Sequence, residues 1–298
     1  MRKMLPIYTF EPIVKHAIWG TEHWTVSGVN GDETGGLNAL VAKHKGALVG
    51  DSVYERFGDT FPLLIKYIDA KKDLSIQVHP NDELARRKGL PRGKTEMWYI
   101  IESKPDGHIL LGLKEKITPE EYAARVSDNT ITDVIQRYDV KAGDCFFVPA
   151  GRIHSIGGGT FLAEIQQTSS TTYRIYDYGR LGVDGKPREL HTKEASEAID
   201  FTVLDDYHTY YDVRKDMGEV LVSCPYFTTA RYDLTEPMTI DYSELDSFVI
   251  LVGIAGSATV STESGDYQLG AMKTLLVPAS TKEITVNGNV EFLETYIV

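Results

Sequence analysis

Short runs of valine, isoleucine, tyrosine and phenylalanine recur along this chain, and glycine, proline, asparagine or aspartate separates each run from the next. Runs of this length with turn residues between them predict antiparallel strands. A chain made mostly of such strands buries its apolar side chains as a β sandwich or a β barrel. The clearest runs are FPLLIKYID, LSIQVH, EMWYIIES, CFFVPA, FLAEIQQ, SFVILVGIAG, ATVST, TLLVPA and EFLETYIV.

Helices are predicted as insertions among these strands. The segment ELARRK follows Asn81 and Asp82, and asparagine and aspartate are favoured where a helix begins. ITPEEYAARV and ITDVIQRY are predicted as the helices of a small insertion at about residues 114–138. In the first of them Thr118 suits the N-cap, Pro119 suits the first turn, and two glutamates lie near the positive helix end.

The strand pattern predicts two domains, over residues 1–218 and 219–298. A mixed, acidic stretch at 194–218 precedes the second domain, which contains no histidine, so a histidine-based site must lie in the first. YQLGAMKTLLVPAS in the second domain repeats the order of VKAGDCFFVPAG in the first: a glycine, an apolar strand and Val-Pro-Ala. The same kind of β corner is therefore predicted in both.

The composition restricts the partners and the compartment. The chain has 31 Lys and Arg against 43 Asp and Glu, and the formal net charge of −12 repels nucleic acid and anionic membranes. No apolar run reaches the roughly 18 residues of a membrane span, and the start MRKMLPIYTFEP lacks the features of a signal peptide. We therefore expect a cytoplasmic protein. Cys145 and Cys224 lie among apolar or aromatic neighbours, which predicts reduced core thiols.

Residues 143–154 form a tight corner that ends on a histidine. Their spacing, G-x5-P-x-G-x2-H, resembles the second signature motif of the cupin superfamily. The resemblance implies a jelly-roll-like β barrel whose histidine points inward and binds a metal. Gly143 opens a turn, CFFV forms a strand, and Pro149 and Gly151 make a corner, after which His154 faces inward. A single histidine on a strand is more often a core residue than a ligand, so His154 needs partners.

Two other strands offer such partners. In LSIQVHPND, Gln77 and His79 are two residues apart and project from the same face of one strand. In GKTEMWYII, alternation puts Lys94 and Glu96 on one face, and both are costly to bury unless they are paired or bind a metal. A surface Lys–Glu pair on an edge strand is the other interpretation of that second motif.

Together these segments supply nitrogen and oxygen ligands without a thiolate. Such a set suits Zn²⁺ with one position open to water or substrate, although Mn²⁺, Fe²⁺, Co²⁺ and Ni²⁺ also accept imidazole and carboxylate groups. The candidate ligands are Gln77, His79, Glu96 and His154.

The segment RIHSIGGGTFLAEI adds one more carboxylate. Its three glycines, at 157–159, predict a hairpin in which residue 154 lies opposite 162 and residue 152 lies opposite 164. Glu164 would then project to the same side as His154. A bulge in so glycine-rich a turn would reverse the side on which Glu164 lies.

Taken together, these segments resemble type I mannose-6-phosphate isomerase in its short bacterial form. The resemblance is carried by FPLLIKYIDAKKDLSIQVHPND, GKTEMWYI, the corner ending at His154 and AEIQQTSSTTYRIYDYGR, and it covers most of residues 5–200. It implies a catalytic cupin domain over residues 1–218 and a degenerate, metal-free cupin-like domain over 219–298. The larger fungal and animal forms have a proline between the lysine and the glutamate, whereas Thr95 stands here, which leaves the shared face intact.

The resemblance also assigns roles to individual residues. It implies that the metal ligands are the four residues already collected by spacing, that Arg174 is the active-site arginine, and that Ser75 and Lys94 contact the substrate. Glu164 matches a carboxylate suggested to move the proton. An ion pair with Asp177 is the alternative role for Arg174.

The implied reaction is the interconversion of mannose 6-phosphate and fructose 6-phosphate through a cis-enediol. A proton must move between C2 and C1, and charge builds on the sugar oxygens. Glu164 is our first choice as the base and Lys94 the second. His79 and His154 are poor candidates, because a nitrogen that binds the metal is unavailable. Ser75, Lys94 and Arg174 would hold the phosphate or the enediolate.

Two other functions stay open at this point. One is a metal-dependent cupin enzyme of another class, such as an Fe²⁺ dioxygenase, although Gln77 as a fourth ligand leaves fewer positions for oxygen. The other is a non-enzymatic cupin that binds a sugar phosphate without turnover. In each case the expected partner is a small molecule, and the sequence predicts no oligomeric state.

Overall fold

Strands make up most of the regular structure in this chain, as predicted. The computed structural model describes residues 4–182 and 184–298. Each predicted apolar run contains a strand, and SFVILVGIAG and ATVST join into one long strand. The strands are β1 Ile13–Ala17, β2 Gly20–Ser27, β3 Leu63–Ala70, β4 Ile76–Val78, β5 Glu96–Ser103, β6 His108–Leu113, β7 Ile135–Asp139, β8 Cys145–Val148, β9 His154–Ile156, β10 Thr160–Gln167, β11 Tyr173–Tyr176, β12 Gly218–Ser223, β13 Thr228–Leu234, β14 Met238–Asp241, β15 Val249–Thr262, β16 Gly265–Gly270, β17 Thr274–Val277 and β18 Glu283–Tyr296.

Two of the three predicted helices are confirmed, with the expected caps. Asn81 accepts a hydrogen bond from the Leu84 amide, and Thr118 forms a capping box with Glu121. Four further helices had not been predicted. The α-helices are α1 Leu37–His44, α2 Gly46–Val49, α3 Asp51–Phe57, α4 Asp82–Arg87, α5 Pro119–Ser127 and α6 Thr192–Ala198, with 3₁₀ turns at Thr34–Gly36 and Ile131–Val134.

The helix predicted for ITDVIQRY is wrong beyond Val134. After the 3₁₀ turn the chain continues as β7, which pairs antiparallel with β6 and places Ile109 opposite Tyr138. Only Ile135 is buried in this strand, and the remaining side chains are half-buried or exposed. Pairing with a neighbouring strand therefore outweighs the helical spacing of the apolar residues, which is a tertiary effect that local pattern does not report.

The chain forms two compact units, neither of which is a single continuous stretch. The first comprises residues 14–24 and 64–209, and the second comprises the chain up to Ile13 together with residues 25–63 and 210–298. The helices α1 to α3 thus belong to the same unit as the C-terminal strands. The boundary predicted after residue 218 stays a prediction, since one boundary does not describe units built from several segments.

Two sheets build the first unit. The six-stranded sheet has the order β1-β2-β3-β10-β5-β8, and the five-stranded sheet has the order β11-β4-β9-β6-β7. One hydrophobic cluster takes Trp98 and Phe146 from the first sheet and Leu111 and Ile156 from the second. The two sheets therefore pack face to face across a shared core.

Helices cover the other face of the five-stranded sheet. There Ile76 and Val78 of β4 pack in a second cluster with Leu84 of α4, Tyr122 of α5 and Ala195 of α6. Side chains alternate along a strand. Gln77, which lies between Ile76 and Val78, therefore points to the opposite side, into the space between the two sheets.

The second unit is built on a sheet with the order β12-β13-β18-β15-β16, with β14 paired to β18 and β17 paired to β15. The predicted repeat of the β corner is confirmed locally: β8 and β17 each have four residues, and a turn at a Pro-Ala pair follows each of them. The core of the second unit contains Leu251, Val260 and Phe292. Across the part of the chain that the structure describes, no helix has the length and apolar character to span a membrane.

Gly112 connects β6 to the segment that carries His154. Its amide donates to the Ile153 carbonyl at 2.8 Å, its φ is +73°, and a Cβ at this position would overlap the Tyr207 ring. That ring is fixed, because its hydroxyl donates to the Leu113 carbonyl at 2.8 Å. The preceding residue, Leu111, pairs with His154.

We expect Gly112→Ala to lower the free energy of unfolding by at least about 3 kcal/mol, since strained backbone and a steric overlap add. Gly185→Ala is the matched control, because Gly185 also has a φ of +73° but a Cβ there would meet no atom within 4 Å. The control should cost about 1–2 kcal/mol from the backbone alone. Urea unfolding measures both, and equal losses would contradict the role of Tyr207.

Candidate metal centre and its cavity

The five-stranded sheet brings Gln77, His79 and His154 together. Gln77 lies on β4 directly opposite His154 on β9, and opposed residues share a face of the sheet. His79 follows β4 by one residue, and its carbonyl accepts a hydrogen bond of 2.9 Å from the amide of Gly151 in the corner. Both histidines are buried. The predicted corner thus does deliver His154 to the inside of the fold.

The six-stranded sheet contributes Glu96 and Glu164 from two paired strands. Glu96 begins β5 and lies opposite Gln166 of β10, while Glu164 lies opposite Trp98. Residues two apart on a strand share a face, so Glu96, Trp98 and Glu164 all project to one side. That side faces the five-stranded sheet, since Trp98 is part of the shared core.

The predicted hairpin between β9 and β10 is wrong, although the side on which Glu164 lies was predicted correctly. β9 pairs with β4 and β6, whereas β10 lies in the other sheet and pairs with β5. The glycines at 157–159 connect the two sheets; the Gly157 amide donates to the His108 carbonyl and the Gly159 amide to the Ala70 carbonyl. Glu164 reaches the site from the opposite sheet, through its own register with β5.

Three buried ligand groups meet between the sheets. Glu96 Oε1 lies 3.4 Å from His154 Nε2, and Glu96 Oε2 lies 3.6 Å from His79 Nε2. One ligand atom from each of these residues lies within 4.8 Å of the others. The Gln77 side chain ends at the same point, with its amide nitrogen 3.3 Å from His154 Nε2. The amide oxygen of Gln77 is the atom that could bind a cation.

Both imidazoles are prepared as neutral ligands. His79 Nδ1 donates to the Thr171 carbonyl at 2.9 Å, and His154 Nδ1 donates to the Arg152 carbonyl at 2.8 Å. Those bonds leave each Nε2 with its lone pair directed at the cluster, the arrangement found around metal-bound histidines. Burial lowers the pKa of His154 to about 4 and, with the charge of Lys94, lowers the pKa of His79 well below its usual value.

Glu96 is a carboxylate that lacks sufficient partners. It is fully buried, and among the described residues its Oε1 has no hydrogen-bond partner, while its Oε2 has the Lys94 ammonium group at 2.8 Å. Burial and the nearby charge of Glu164 raise its pKa. A buried carboxylate with one unsatisfied oxygen, facing the lone pairs of two imidazoles, fits a divalent cation held by nitrogen and oxygen ligands.

Lys94 lies inside the site, so the interpretation of KxE as a surface pair is wrong. Its ammonium group is buried, 2.8 Å from Glu96 Oε2, 3.1 Å from His79 Nε2 and 3.9 Å from Glu164 Oε1. Thr95 between the two charged residues points the other way, where its hydroxyl accepts from the Ala150 amide. The alternation predicted from the sequence is thus realised, with both charges facing inward.

Lys66 was not among the predicted site residues. It lies on β3, next to β10, and donates to Glu164 Oε1 at 2.8 Å, while Trp98 Nε1 donates to Glu164 Oε2 at 3.0 Å. Glu22 lies 3.6 Å from the same ammonium group. The signal in the sequence was the lysine inside the apolar run LLIKYI of β3, since burying a lysine is costly unless acids face it.

Two opposing effects set the charge of Glu164. Burial alone would raise its pKa, but the ammonium groups of Lys66 and Lys94 outweigh burial and lower the pKa. The same carboxylate raises the pKa of Lys66, together with Glu22 and against the effect of burial. Glu164 is therefore ionised at neutral pH, and its two oxygens are fixed by two donors.

A cavity of about 330 Å³ opens beside this cluster. Its wall includes the predicted residues Ser75, Gln77, Lys94, Glu164 and Arg174. Ser75 is buried and, two residues before Gln77, projects from the same face. Lys66, Glu22, Lys15, Trp24 and Arg188 also line the cavity.

Arg174 does not form the ion pair with Asp177 that was its alternative role. It lies on β11 opposite Gln77, and its Nη1 donates to the Glu189 carbonyl at 2.9 Å. Asp177 instead binds Arg180 and Arg188. The cluster and the cavity thus contain every residue that the sequence nominated.

Comparison with known proteins gives one consistent family. A sequence model described as "Phosphomannose isomerase type I, catalytic domain" matches residues 11–132, and one described as "Mannose-6-phosphate isomerase, cupin domain" matches residues 218–297. The mannose-6-phosphate isomerase ManA of Bacillus subtilis (strain 168) is 32% identical over 311 residues, covering 97% of this chain and 98% of the relative. The probable mannose-6-phosphate isomerase GmuF of the same organism is 35% identical over 241 residues, covering 79% of this chain and 75% of the relative.

A solved structure agrees with these sequence matches. The crystal structure of the mannose 6-phosphate isomerase from Bacillus subtilis has a TM-score of 0.87 and 28% sequence identity, covering 98% of this chain and 100% of the other. With the cupin match over the C-terminal part, this confirms the predicted fold class, a mainly β cupin fold.

The ion pair between Lys66 and Glu164 gives a prediction that depends on pH. Lys66→Met leaves Glu164 buried without its nearest cation, so we expect a loss of about 3 kcal/mol in the free energy of unfolding at pH 8. Without Lys66 the pKa of Glu164 in the folded protein rises above its value in the unfolded chain. Such a raised pKa lowers the free energy of unfolding only at pH values above the usual carboxyl range, where the carboxyl group of the unfolded chain is ionised. The loss should therefore shrink at pH 5.

The double variant Lys66→Met/Glu164→Gln is the matched control, since it removes both charges at nearly constant volume. It should recover most of the stability lost by Lys66→Met at pH 8. Urea unfolding of wild type and of the single and double variants at the two pH values measures these differences. A loss for Lys66→Met that is the same at pH 5 and pH 8 would contradict the assignment of a buried, ionised Glu164.

Proposed function

This chain belongs to the type I phosphomannose isomerases and is an aldose–ketose isomerase of mannose 6-phosphate, and we propose that its active site is the cavity beside His79, Glu96 and His154. The observation that carries the proposal is the convergence of two neutral imidazoles on a buried carboxylate whose Oε1 has no hydrogen-bond partner among the described residues. The wall of the adjoining cavity includes the charged residues that a phosphorylated hexose requires.

We propose that Gln77, His79, Glu96 and His154 hold one Zn²⁺ ion. Nitrogen and oxygen ligands without a thiolate suit zinc, and other divalent ions accept the same set. When bound, such a cation supplies positive charge that stabilises negative charge developing on the sugar oxygens. The backbone bonds from both Nδ1 atoms keep the imidazoles oriented for this role.

Isomerisation needs a group that takes a proton from one carbon and returns it to the next. We assign this role to Glu164, because it lines the cavity and because the positive charges of Lys66 and Lys94 keep it ionised. The hydrogen bonds from Lys66 and Trp98 fix the carboxylate while the proton is carried.

Lys94 is the second candidate for proton transfer and has a further role in this proposal. Its ammonium group lies against Glu96 and His79, on the side of the cavity where the enediolate oxygens must lie if the cation is near them. Positive charge there stabilises the enediolate. Ser75 and Arg174, which line the same cavity, are assigned to binding the rest of the sugar phosphate.

A coupled assay of fructose 6-phosphate formation, with chelator and with Zn²⁺ added back, tests the function itself. We expect the chelator to abolish activity and the metal to restore it. We also expect His154→Ala to lose both activity and bound metal, since one of the ligands is gone. Metal content is measured by elemental analysis of the purified protein.

His108→Ala is the control for that variant, because His108 lies on β6 outside the cluster and binds the Asp106 carbonyl. It should keep its metal and its activity. A His154→Ala protein with full metal content would make His154 a core residue. Metal-loaded wild type that binds mannose 6-phosphate without converting it would instead make the chain a sugar-phosphate sensor.

The assignment of the base gives a separate prediction. Glu164→Gln keeps the shape of the side chain and removes its capacity to accept a proton, so we expect retained metal and a kcat lowered by about 10² to 10⁴. Glu102→Gln is the control, because Glu102 is exposed on the same strand as Glu96. Near wild-type activity of Glu164→Gln would transfer the role to Lys94 or to a water molecule.

A further inference from the structure

The two histidines of the proposed metal centre are oriented by different parts of the chain. His154 Nδ1 donates to the carbonyl of Arg152, two residues before it, so its own segment fixes the ring. His79 Nδ1 donates at 2.9 Å to the carbonyl of Thr171, which is 92 positions away. Thr171 belongs to residues 168–172, which connect β10 to β11 and are neither helix nor strand. The orientation of His79 therefore depends on what holds this connecting segment in place.

Gln166, near the end of β10, holds the connecting segment from inside the fold. Its side chain is fully buried, and its Nε2 donates at 2.8 Å to the Gln167 carbonyl and at 2.8 Å to the Ser169 carbonyl. Since both acceptors are carbonyl oxygens, the nitrogen of the amide group must lie on that side. One side chain thus fixes the backbone on either side of the point where β10 ends.

Ser169 transmits this restraint to Thr171. The Ser169 hydroxyl accepts a hydrogen bond of 3.3 Å from the Thr171 amide and donates at 3.4 Å to the Arg92 carbonyl. The peptide group on the other side of Thr171 supplies the carbonyl that accepts from His79. A continuous series of contacts therefore runs from Gln166 through Ser169 and Thr171 to the imidazole ring.

The place of Gln166 is a costly one for a side chain that only fills space. Its Oε1 is buried and has no hydrogen-bond partner among the described residues, and an unsatisfied buried acceptor costs free energy. In the register of β10 with β5, Gln166 lies opposite Glu96 and on the same face as Glu164. An apolar side chain of similar size would fill this position without that cost. The role of the amide group must therefore lie in its two donors.

We propose that Gln166 is a positioning residue for His79, acting through Ser169 and Thr171. The inference rests on the metal centre of the function proposed above, and in it Gln166 contacts neither the cation nor the sugar. A histidine whose second nitrogen loses its hydrogen-bond partner binds a metal less tightly, because the ring is no longer held in the right direction. Gln166 was not among the site residues nominated by the sequence.

Gln166→Met tests the proposal, because methionine keeps the approximate size of the side chain and lacks both donors. We expect the affinity of the purified full-length protein for Zn²⁺ to fall about tenfold to a hundredfold, the usual effect of removing support from a metal ligand. Competition with a chelator of known affinity measures this change. Ser169→Ala removes the next contact in the series and should lower the affinity in the same direction, so it replaces Gln166→Met if that variant does not fold.

The two histidines provide an internal comparison within one protein. In isotope-labelled protein, with and without Zn²⁺, the magnetic resonance signal of each Nδ1–H group reports the hydrogen bond of that ring. We expect Gln166→Met to shift the His79 signal and to leave the His154 signal unchanged, since the acceptor of His154 lies in its own segment. A general loosening of the fold would move both signals.

Gln136→Met is the matched control. Gln136 Nε2 also donates to the carbonyl of the next residue, Arg137, at 2.9 Å, but it lies on β7 outside the cluster. The variant should leave the Zn²⁺ affinity and both histidine signals unchanged.

The outcomes separate this inference from the function on which it rests. A folded Gln166→Met protein with wild-type Zn²⁺ affinity overturns the inference, as does an equal shift of the two histidine signals. A wild type that binds Zn²⁺ without isomerising mannose 6-phosphate overturns the proposed reaction, and a lower affinity of Gln166→Met then still supports the inference. A wild type that binds no Zn²⁺ overturns the proposed metal centre, and the His79 signal alone then decides whether Gln166 positions the ring.

Discussion

The first compact unit depends on an array of opposite charges buried between two β sheets. Glu96, Glu164, Lys66 and Lys94 are each at most 6% exposed, and ion pairs of 2.8 to 3.9 Å connect them. An isolated charge in such a place costs on the order of several kcal/mol, so none of these side chains is tolerable alone. The array leaves Glu96 Oε1 without a hydrogen-bond partner among the described residues, and this unsatisfied oxygen makes the site suitable for a cation.

The two sheets divide the chemistry between them. The five-stranded sheet supplies the neutral groups, Gln77, His79 and His154, because Ile76 and Val78 are packed against the helices and turn Gln77 inward. The six-stranded sheet supplies the charged groups, since the register of β5 and β10 aligns Glu96, Trp98 and Glu164 on one face. Each sheet alone would expose its half of the site. Packing them face to face removes both halves from water, which strengthens the electrostatic interactions among them.

Part of the fold and most of the site were predictable from local pattern. Alternation along a strand paired Gln77 with His79 and Lys94 with Glu96, and it holds wherever a strand is extended. Helix starts at Asn81 and Thr118 were equally local, because a cap acts on the amides of the next turn. The strand β7 was missed because its pairing with β6 overrides a helical spacing. The hairpin at residues 157–159 was wrong because a glycine-rich turn permits both a return within one sheet and a crossing to the other.

The sequence by itself determined the mainly β class, the corner at residues 143–154 and the residue types of the site, because these depend on neighbours along the chain. Only the tertiary structure decided that Lys66 faces Glu164, that Asp177 pairs with Arg180 and Arg188 rather than with Arg174, and that Arg188 reaches the cavity. Lys66 and Glu164 are 98 positions apart in the sequence. In the other cases, too, the position of the side chain depends on how separate segments of the chain pack together. A charged side chain has no preference for particular distant partners until packing excludes water and brings specific oppositely charged groups against it.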